Sequence, residues 1–389
     1  MLNKKIINSF KQWLVGFTDG DGSFYVKKNG KGLLYLLGYH LKKDDKICID
    51  NILKGLNLNI NIEQRGNTVQ LSIHKHDDIK NIIIPIFDNY PLITKKRFVF
   101  EIWKSDFEHY VNRSIDRSIL LKNKYIINDA EFLKLKGVIK EFEHMSNEYI
   151  LGFLEAEGSF VLNNDRYSCM YYISQSLDSM DVLLAIKDFI LKNWKPHKDT
   201  PMLVKYQLEN NWDSYIKITK PNKSNVVSLV ILSIDFLYYV VLPVLDSITW
   251  YSKKAIDYKD WKTVIKLYIG GYHREFKEVV EFIQYTKDIS NRKRINSLLV
   301  FDIKRLDKVF ATRPVYDMNY PYRVNSNLFR HASINIGVLV YDLNNNFVSY
   351  YLGPESASKH FNCTLDMINK YIKSHEVFNN KYRLSGWLK

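Results

Sequence analysis

Three cysteines in 389 residues, Cys48, Cys169 and Cys363, are too few and too far apart for a disulfide framework or a zinc cluster. That scarcity fits a reducing compartment. Acidic residues are also in deficit: 42 Asp and Glu face 56 Lys and Arg, a net charge of +14. A surplus of that size points to a polyanionic partner, nucleic acid or an anionic membrane surface. Long apolar runs are missing too, and a spanning helix needs about 18 residues of one. The longest candidate, Leu229 to Leu245, is broken by Ser233, Asp235 and Pro243. Nucleic acid is therefore the expected partner, and no membrane is expected. Arginine is scarce, 13 of the 56 basic residues, whereas Lys, Ile, Asn and Tyr abound. These four have AT-rich codons, which suggests an AT-rich genome such as an organelle's. Met1 to Phe10 carries Lys4 and Lys5 but neither a signal-peptide core nor an Arg- and Ser-rich amphipathic helix, so an ordinary N-terminus is expected. What is present is globular: 46% hydrophobic and 25% charged residues, in a length that suits two or three domains.

The chain carries an internal duplication. Leu14-Val15-Gly16-Phe17-Thr18-Asp19-Gly20-Asp21-Gly22-Ser23-Phe24 recurs as Leu151-Gly152-Phe153-Leu154-Glu155-Ala156-Glu157-Gly158-Ser159-Phe160, aligned on Gly16 and Gly152. That period is too long for a solenoid and reads as two copies of one domain. In the first copy, alternating runs at 23–28 and 33–42 predict strands joined by the Asn29-Gly30-Lys31-Gly32 turn. Asp44-Asp45 can cap a helix through Leu56, strands are expected at 59–65 and 69–74, and a helix at 76–87. The second copy predicts strands at 159–163 and 167–175, a helix at 181–194, strands at 204–209 and 215–220, and a helix near 238–245. The fold class expected is α+β, two pseudo-symmetric αββαββα units. The first spans 1–107 and the second 147–275, with a charged linker at 108–146 in which Ala130 to Glu141 is read as helical. Residues 276–333 show no repeat, and 334–389 reads as a separate small module.

The motif residues suggest chemistry. Gly16 and Gly20 share a helical face, as do Gly152 and Ala156, and small residues at that spacing let two helix backbones approach. If the two motif helices pack together, Asp21 and Glu157 meet at their C-terminal ends. Two carboxylates that close need a cation between them. Oxygen ligands of this kind suit Mg²⁺, or the similarly hard Mn²⁺, which keeps several waters and takes one or two protein carboxylates. Beneath two basic sheets, such a site suits phosphodiester hydrolysis by water. Asp19 and Glu155 read rather as helix-end packing or local hydrogen bonding.

On these residues the sequence resembles the two-motif LAGLIDADG homing endonucleases and maturases of organelle introns. Leu14 to Gly22 and Leu151 to Gly158 look like the family's two signature helices. The similarity runs through most of residues 10–275, including Ile83-Ile84-Pro85-Ile86-Phe87 and Lys254-Ala255-Ile256-Asp257-Tyr258. The resemblance implies a saddle of two sheets over double-stranded DNA with a long recognition site, bound by a monomer. It implies that Asp21 and Glu157 hold divalent metal, although Glu replaces the common Asp at the second position. It implies a catalytic lysine in each half, Lys96 and Lys254 by position, with Lys95 and Lys253 one residue away. Gln175 matches the family's polar active-site position, and its first-half counterpart falls at Lys43.

Strand alternation names the DNA-facing side chains. In the first copy these are Ser23, Tyr25, Lys27, Gly38, His40, Lys42, Asn61, Glu63, Arg65, Gln70, Ser72 and His74. In the second they are Ser159, Val161, Asn163, Tyr215, Lys217 and Thr219. Such a mixture can read base edges in the major groove, and two sheets end to end cover roughly two turns of duplex. In the C-terminal module, 338–348 reads as a hairpin, 354–361 as a helix and 365–373 as a second helix capped by Thr364. Ala357, Phe361, Leu365, Ile368 and Ile372 are its expected core. It resembles the helix-turn-helix repeats appended to intron-encoded nucleases, which leaves Asp366, Asn369, Lys370 and Lys373 on the exposed side of a recognition helix. The function expected is a mitochondrial intron-encoded homing endonuclease that breaks both DNA strands and promotes intron mobility. The alternative is an RNA maturase that helps its host intron splice, with that intron RNA as partner. Acidic residues at both motif ends favour the nuclease, because splicing assistance has no need of them.

Overall fold

The computed structural model describes residues 2–30, 32–115, 145–163, 168–290, 299–316, 318–319, 337–351 and 353–387. The helix expected at Ala130 to Glu141 lies outside them. A helix at Leu2–Asp21 runs straight into strand β1, Gly22–Asn29, which turns at Gly30 into β2, Gly32–Lys42. Gly30 adopts a positive φ of 55°, the conformation that such a tight turn demands and glycine tolerates. A helix at Lys46–Leu56 follows, then β3, Glu63–Arg65, and β4, Thr68–Ile73. The sheet is antiparallel with order β1-β2-β4-β3. The second motif helix, Asn147–Glu157, repeats the pattern through β5, Gly158–Asn163, and β6, Ser168–Ser176. A helix at Met180–Asn193 and strands β7, Ile216–Ile218, and β8, Val226–Ile231, complete it, with sheet order β5-β6-β8-β7.

The duplication extends to a local distortion. Both units follow their fourth strand with a helix that opens into a π turn, at Ile79–Ile83 and Leu237–Val241. A proline stands just beyond each, Pro85 and Pro243. Proline lacks the N–H that would continue the α ladder and clashes with the carbonyl four residues back, so the preceding turn widens. Each unit then closes with a helix that lies across its sheet, Lys96–Asn112 and Lys254–Ile269. Aromatic side chains fill the space between. In the first unit Phe24 packs edge-on and tilted among Phe87, Phe100 and Trp103, and in the second Phe160 lies against Tyr258 and Trp261.

Four expectations need correction. Residues 204–209 are not a strand: Met202–Asn210 is a helix that buries Leu203, Val204 and Leu208. Leu203 and Val204 are adjacent and both buried, with Leu208 one helical turn on, which fits a helix face and breaks strand alternation. The missing strand is β8, hidden at the start of the apolar run first considered for a membrane. The strand expected at 59–65 shortens to Glu63–Arg65. In the C-terminal module, Leu365 is 40% exposed and not in the core, which is formed by Val338, Val340, Ala357, Ile368, Phe378 and Leu384.

That module is more than two helices. β9, Gly337–Asp342, and β10, Phe347–Tyr351, precede helices at Pro354–Phe361 and Leu365–Ser374, and β11, Val377–Phe378, and β12, Tyr382–Trp387, follow. β12 pairs beside β9, giving the sheet order β10-β9-β12-β11. The helix at 202–210 holds it to the second unit. Leu203 packs against Leu339, Phe347 and Tyr350, and the Tyr350 hydroxyl donates to Gln207 Oε1 at 2.8 Å. The segment read as unassigned also joins the second unit. Helices at Lys277–Ile289 and Arg305–Phe310 bury Val279, Phe282, Ile283, Leu306 and Val309 in the same core.

Candidate active site

The site begins where the two motif helices touch. A Cβ placed on Gly16 would stand 2.0 Å from the Tyr149 carbonyl oxygen. One on Gly152 would stand 2.0 Å from the Trp13 carbonyl oxygen, and one on Gly20 2.2 Å from the Ala156 Cβ. The helices therefore meet backbone to backbone, and the approach brings their C-terminal ends together.

Asp19 and Glu155, two residues inside those ends, are buried and act as anchors. Asp19 accepts from the Ile93 amide at 2.8 Å, the Thr94 hydroxyl at 2.5 Å and the Tyr149 hydroxyl at 2.7 Å. Glu155 accepts from the Ser252 amide at 2.7 Å, the Ser252 hydroxyl at 2.6 Å and Trp13 Nε1 at 2.5 Å. The Tyr251 amide adds a longer contact at 3.2 Å. Each acid thus ties its own helix to the turn before the closing helix and, through Tyr149 or Trp13, to the other motif helix. Burial raises both acids, Glu155 to about 7, and the converging donors pull the other way. Glu155→Gln keeps the shape but turns an NH₂ group toward a fixed N–H donor in either orientation. That is expected to cost about 1–3 kcal/mol, read as a lower denaturant midpoint against the parent chain. An unchanged midpoint would mean that the anchor does not hold the two helices.

The same turns aim two lysines at the helix ends. Thr94 Oγ1 accepts from the Lys96 amide and Ser252 Oγ from the Lys254 amide, each at 3.2 Å. Lys96 Nζ then donates to the carbonyls of Thr18, at 3.0 Å, and Gly20. Lys254 Nζ donates to those of Leu154, at 3.0 Å, and Gly158, at 2.6 Å. A cation at the carbonyl end of a helix is favoured by the dipole as well as by the hydrogen bonds. Lys253 turns instead toward the first unit, where it pairs with Asp44, and its amide donates to Asp45 Oδ1 at 2.8 Å. Burial lowers the Lys96 pKa, and the charges of Asp19, Asp21 and Glu157 oppose that shift. One ammonium thus senses both motif-end acids.

A cavity of about 410 Å³ opens at this point, and Asp21, His40, Lys42, Asp45, Glu157 and Lys254 are among the residues that line it. Two carboxylates from separate helices face it beside helix carbonyl ends, so the local donors are hard oxygens. Among the described residues no group of three His, Cys, Asp or Glu forms a complete metal cage. Two carboxylates plus space for water fit a hard divalent cation that retains water ligands, such as Mg²⁺ or Mn²⁺, and do not make a zinc cage.

Comparison with known proteins now decides the family. The LAGLIDADG endonuclease family matches residues 14–106 and 150–265. The uncharacterized mitochondrial protein RF1 of Saccharomyces cerevisiae is 39% identical over 396 residues, covering 99% of this chain and 83% of that one. The chain belongs to the LAGLIDADG endonuclease family. A probable intron-encoded endonuclease, Cox1-I1b, of Schizosaccharomyces pombe is 34% identical over 40% of this chain and 42% of its own length. In fold, the chain is similar to the LAGLIDADG homing endonuclease I-GzeII in complex with its DNA target. The TM-score is 0.57 at 20% identity, over 73% of this chain and 99% of that one.

In this LAGLIDADG chain, strand pairing sorts the expected surface residues. Ser23, Gly38 and Ser72 are cross-strand partners, as are His40, Gln70 and Glu63, and Lys42, Thr68 and Arg65. Partners in register share a face, so these rows lie together with Tyr25 and Lys27. Tyr25 covers Gly38, and its hydroxyl accepts from Gln70 Nε2 at 3.3 Å. Arg65 bonds Glu63 at 2.9 Å, and His74 lies exposed just past β4. In the second sheet Ser159, Tyr172, Val230 and Lys217 form one row, and Asn163 pairs with Ser168 on the same face. Asn369 is half-buried and Lys370 and Lys373 are exposed on the second module helix, and none of the three lines the cavity.

For Gln175 the strand register corrects the first-half counterpart, which is not Lys43. Gln175 pairs with buried Val227 and follows Tyr171 and Ile173 on the helix-facing side of β6. Gly22 pairs with Tyr39 and Gly158 with Ile173, so Gln175 is equivalent to Leu41 and not to Lys43. Ser174 holds the outward position, equivalent to His40. Asp44 and Asp45 read in the sequence only as a helix cap and Lys253 only as the neighbour of Lys254; the contact between units reveals their tie.

Proposed function

We propose that this chain is a homing endonuclease that makes a sequence-specific double-strand break in DNA by metal-dependent phosphodiester hydrolysis. The observation that carries the reading is the pairing of Asp21 and Glu157 at the helix crossing, with Lys96 and Lys254 set pseudo-symmetrically beside them. Mg²⁺ or Mn²⁺ held by Asp21 and Glu157 would supply Lewis-acid stabilisation of charge at the phosphate and leaving oxygen. Lys96 and Lys254 stabilise negative charge that builds on each phosphate, from positions fixed by helix carbonyls before DNA arrives. Two lysines, one per half, suit one cut in each strand by a single chain, which acts as a monomer. The faces carrying Ser23, Tyr25, Lys27, His40, Lys42, Arg65, Gln70, His74, Asn163 and Lys217 contact a long duplex site, supported by the net charge of +14. Asn369, Lys370 and Lys373 add contacts through the C-terminal module, which rides on the second unit. The mitochondrial name of the yeast relative supports a mitochondrial setting and a role in intron mobility. Retention of acids at both helix ends favours this reading over splicing assistance.

The test is cleavage of duplexes drawn from a randomised library, with Mg²⁺ or Mn²⁺ and with EDTA. Expected are cuts in both strands with either metal and intact DNA with chelator. Cleavage that persists in EDTA would overturn the metal assignment, and binding without cleavage in either metal would overturn the endonuclease reading.

A further inference from the structure

The two halves of the site carry different side chains at equivalent positions. The register that equates Tyr39 with Ile173 equates His40 with Ser174, Lys42 with Ser176 and Asp45 with Ser179. The cavity beside Lys254 is lined by His40 and Lys42, contributed by the first unit's β2. That strand end is held in place across the unit boundary. Lys253 pairs with Asp44, its amide donates to Asp45, and Asn51 Nδ2 donates to the Tyr251 carbonyl at 2.8 Å. The equivalent outward positions on β6 are serines, and Ser174 Oγ is engaged by Ser228 Oγ at 2.8 Å. One lysine therefore has an imidazole and a second ammonium as neighbours, whereas the other has short neutral hydroxyls at the matching places.

We propose that His40 and Lys42 belong to the Lys254 catalytic centre and donate to the scissile phosphate there, so that this strand is cut first and a nicked duplex precedes the double-strand break. The inference rests on the endonuclease reading. In each cut a water oxygen bonds to phosphorus, the bond from phosphorus to the leaving sugar oxygen breaks, one water proton ends on that oxygen and the other is released. Charge grows on the non-bridging oxygens during this exchange, and preorganised donors aimed at them accelerate it. His40 can donate to such an oxygen. Lys42 adds charge that Ser176 cannot. His40 and Lys42 are both exposed, so neither is needed by the core.

The experiment follows each strand of a separately end-labelled duplex, recovered by cleavage selection from a randomised library. Lys254→Ala and Lys96→Ala define the strands by which one each variant slows. In the parent chain, nicked duplex cut in the Lys254 strand is expected to accumulate before linear product. His40→Ser is expected to slow that strand about 10- to 100-fold. The Lys96 strand and affinity in EDTA are expected to change less than about twofold, since one contact is a small part of a spread interface. His40→Gln, which keeps a donor, is expected to recover part of the loss. Equal slowing of both strands, or binding that falls in step with cleavage, would make His40 an ordinary DNA contact and overturn this inference alone. Loss that follows the Lys96 strand would overturn it too. A parent chain that cuts neither strand would overturn both the inference and the endonuclease reading.

Discussion

Asp21→Asn is expected to lower double-strand cleavage by about three orders of magnitude while DNA affinity in chelator stays within about twofold. The substitution removes one negative charge and one anionic oxygen from a site with only two motif-end carboxylates to offer. An amide oxygen is a weaker ligand for a hard divalent cation, and the amide's NH₂ is no ligand at all. Affinity is spared because it comes from many phosphate and base contacts along the sheets. Glu157→Gln is expected to behave alike, since its side chain crosses toward Gly20 of the other helix and serves the same centre. Asp19→Asn is the informative contrast. Asp19 is buried among donors from Ile93, Thr94 and Tyr149, so its loss lowers stability first and cleavage only through the fold. The measurements are single-turnover cleavage and salt-titrated binding for each variant, beside a denaturation curve. Undiminished cleavage by Asp21→Asn or Glu157→Gln would sink the metal assignment.

Much of this arrangement was legible from the residues because it is periodic. Small residues four apart in both motifs point to close helix packing, and alternation in β1 and β2 gives the outward face that pairing then shows. Reading failed where periodicity is ambiguous. Val226–Ile231 runs almost without interruption into the helix at 234–246, and a continuous apolar run does not separate a strand from a buried helix. The helix at 202–210 has no counterpart in the first unit, so the duplication itself argued against it. The first-half counterpart of Gln175 is Leu41, because the hairpin between β5 and β6 is two residues shorter than that between β1 and β2 and no fixed offset along the sequence reproduces it. Which of Lys95 and Lys96 reaches back lay beyond any pattern: the Thr94 hydroxyl accepts from the Lys96 amide, and Lys96 Nζ donates to the carbonyls of Thr18 and Gly20. The tie from Lys253 to Asp44 joins residues 209 apart and is a property of the assembled pair of units.

Gly152→Ala is expected to damage this chain severely for a single added methyl group. The new Cβ would stand 2.0 Å from the Trp13 carbonyl oxygen, 2.8 Å from the Phe17 amide nitrogen and 3.0 Å from the Trp13 carbonyl carbon. All three are backbone atoms of the facing motif helix, so no rotamer change relieves the overlap. Alanine would gain about 1 kcal/mol of helix propensity over glycine, which opposes the clash. Overpacking of a rigid contact costs about 1–3 kcal/mol and more when backbone must move. Here a whole helix must withdraw by more than an ångström, so a net loss of about 3 kcal/mol or more is expected. Withdrawal also strains the bonds that cross the helix pair, from Trp13 to Glu155 and from Tyr149 to Asp19, and it parts Asp21 from Glu157. Cleavage is therefore expected to fall even at temperatures where the variant remains folded. Gly353→Ala supplies the control, because a Cβ there meets nothing within 4 Å. Denaturant midpoints and cleavage rates of the two variants beside the parent decide the matter. A Gly152→Ala chain as stable and as active as the control would show that the motif helices do not touch backbone to backbone, and the site built on their crossing would fall with that contact.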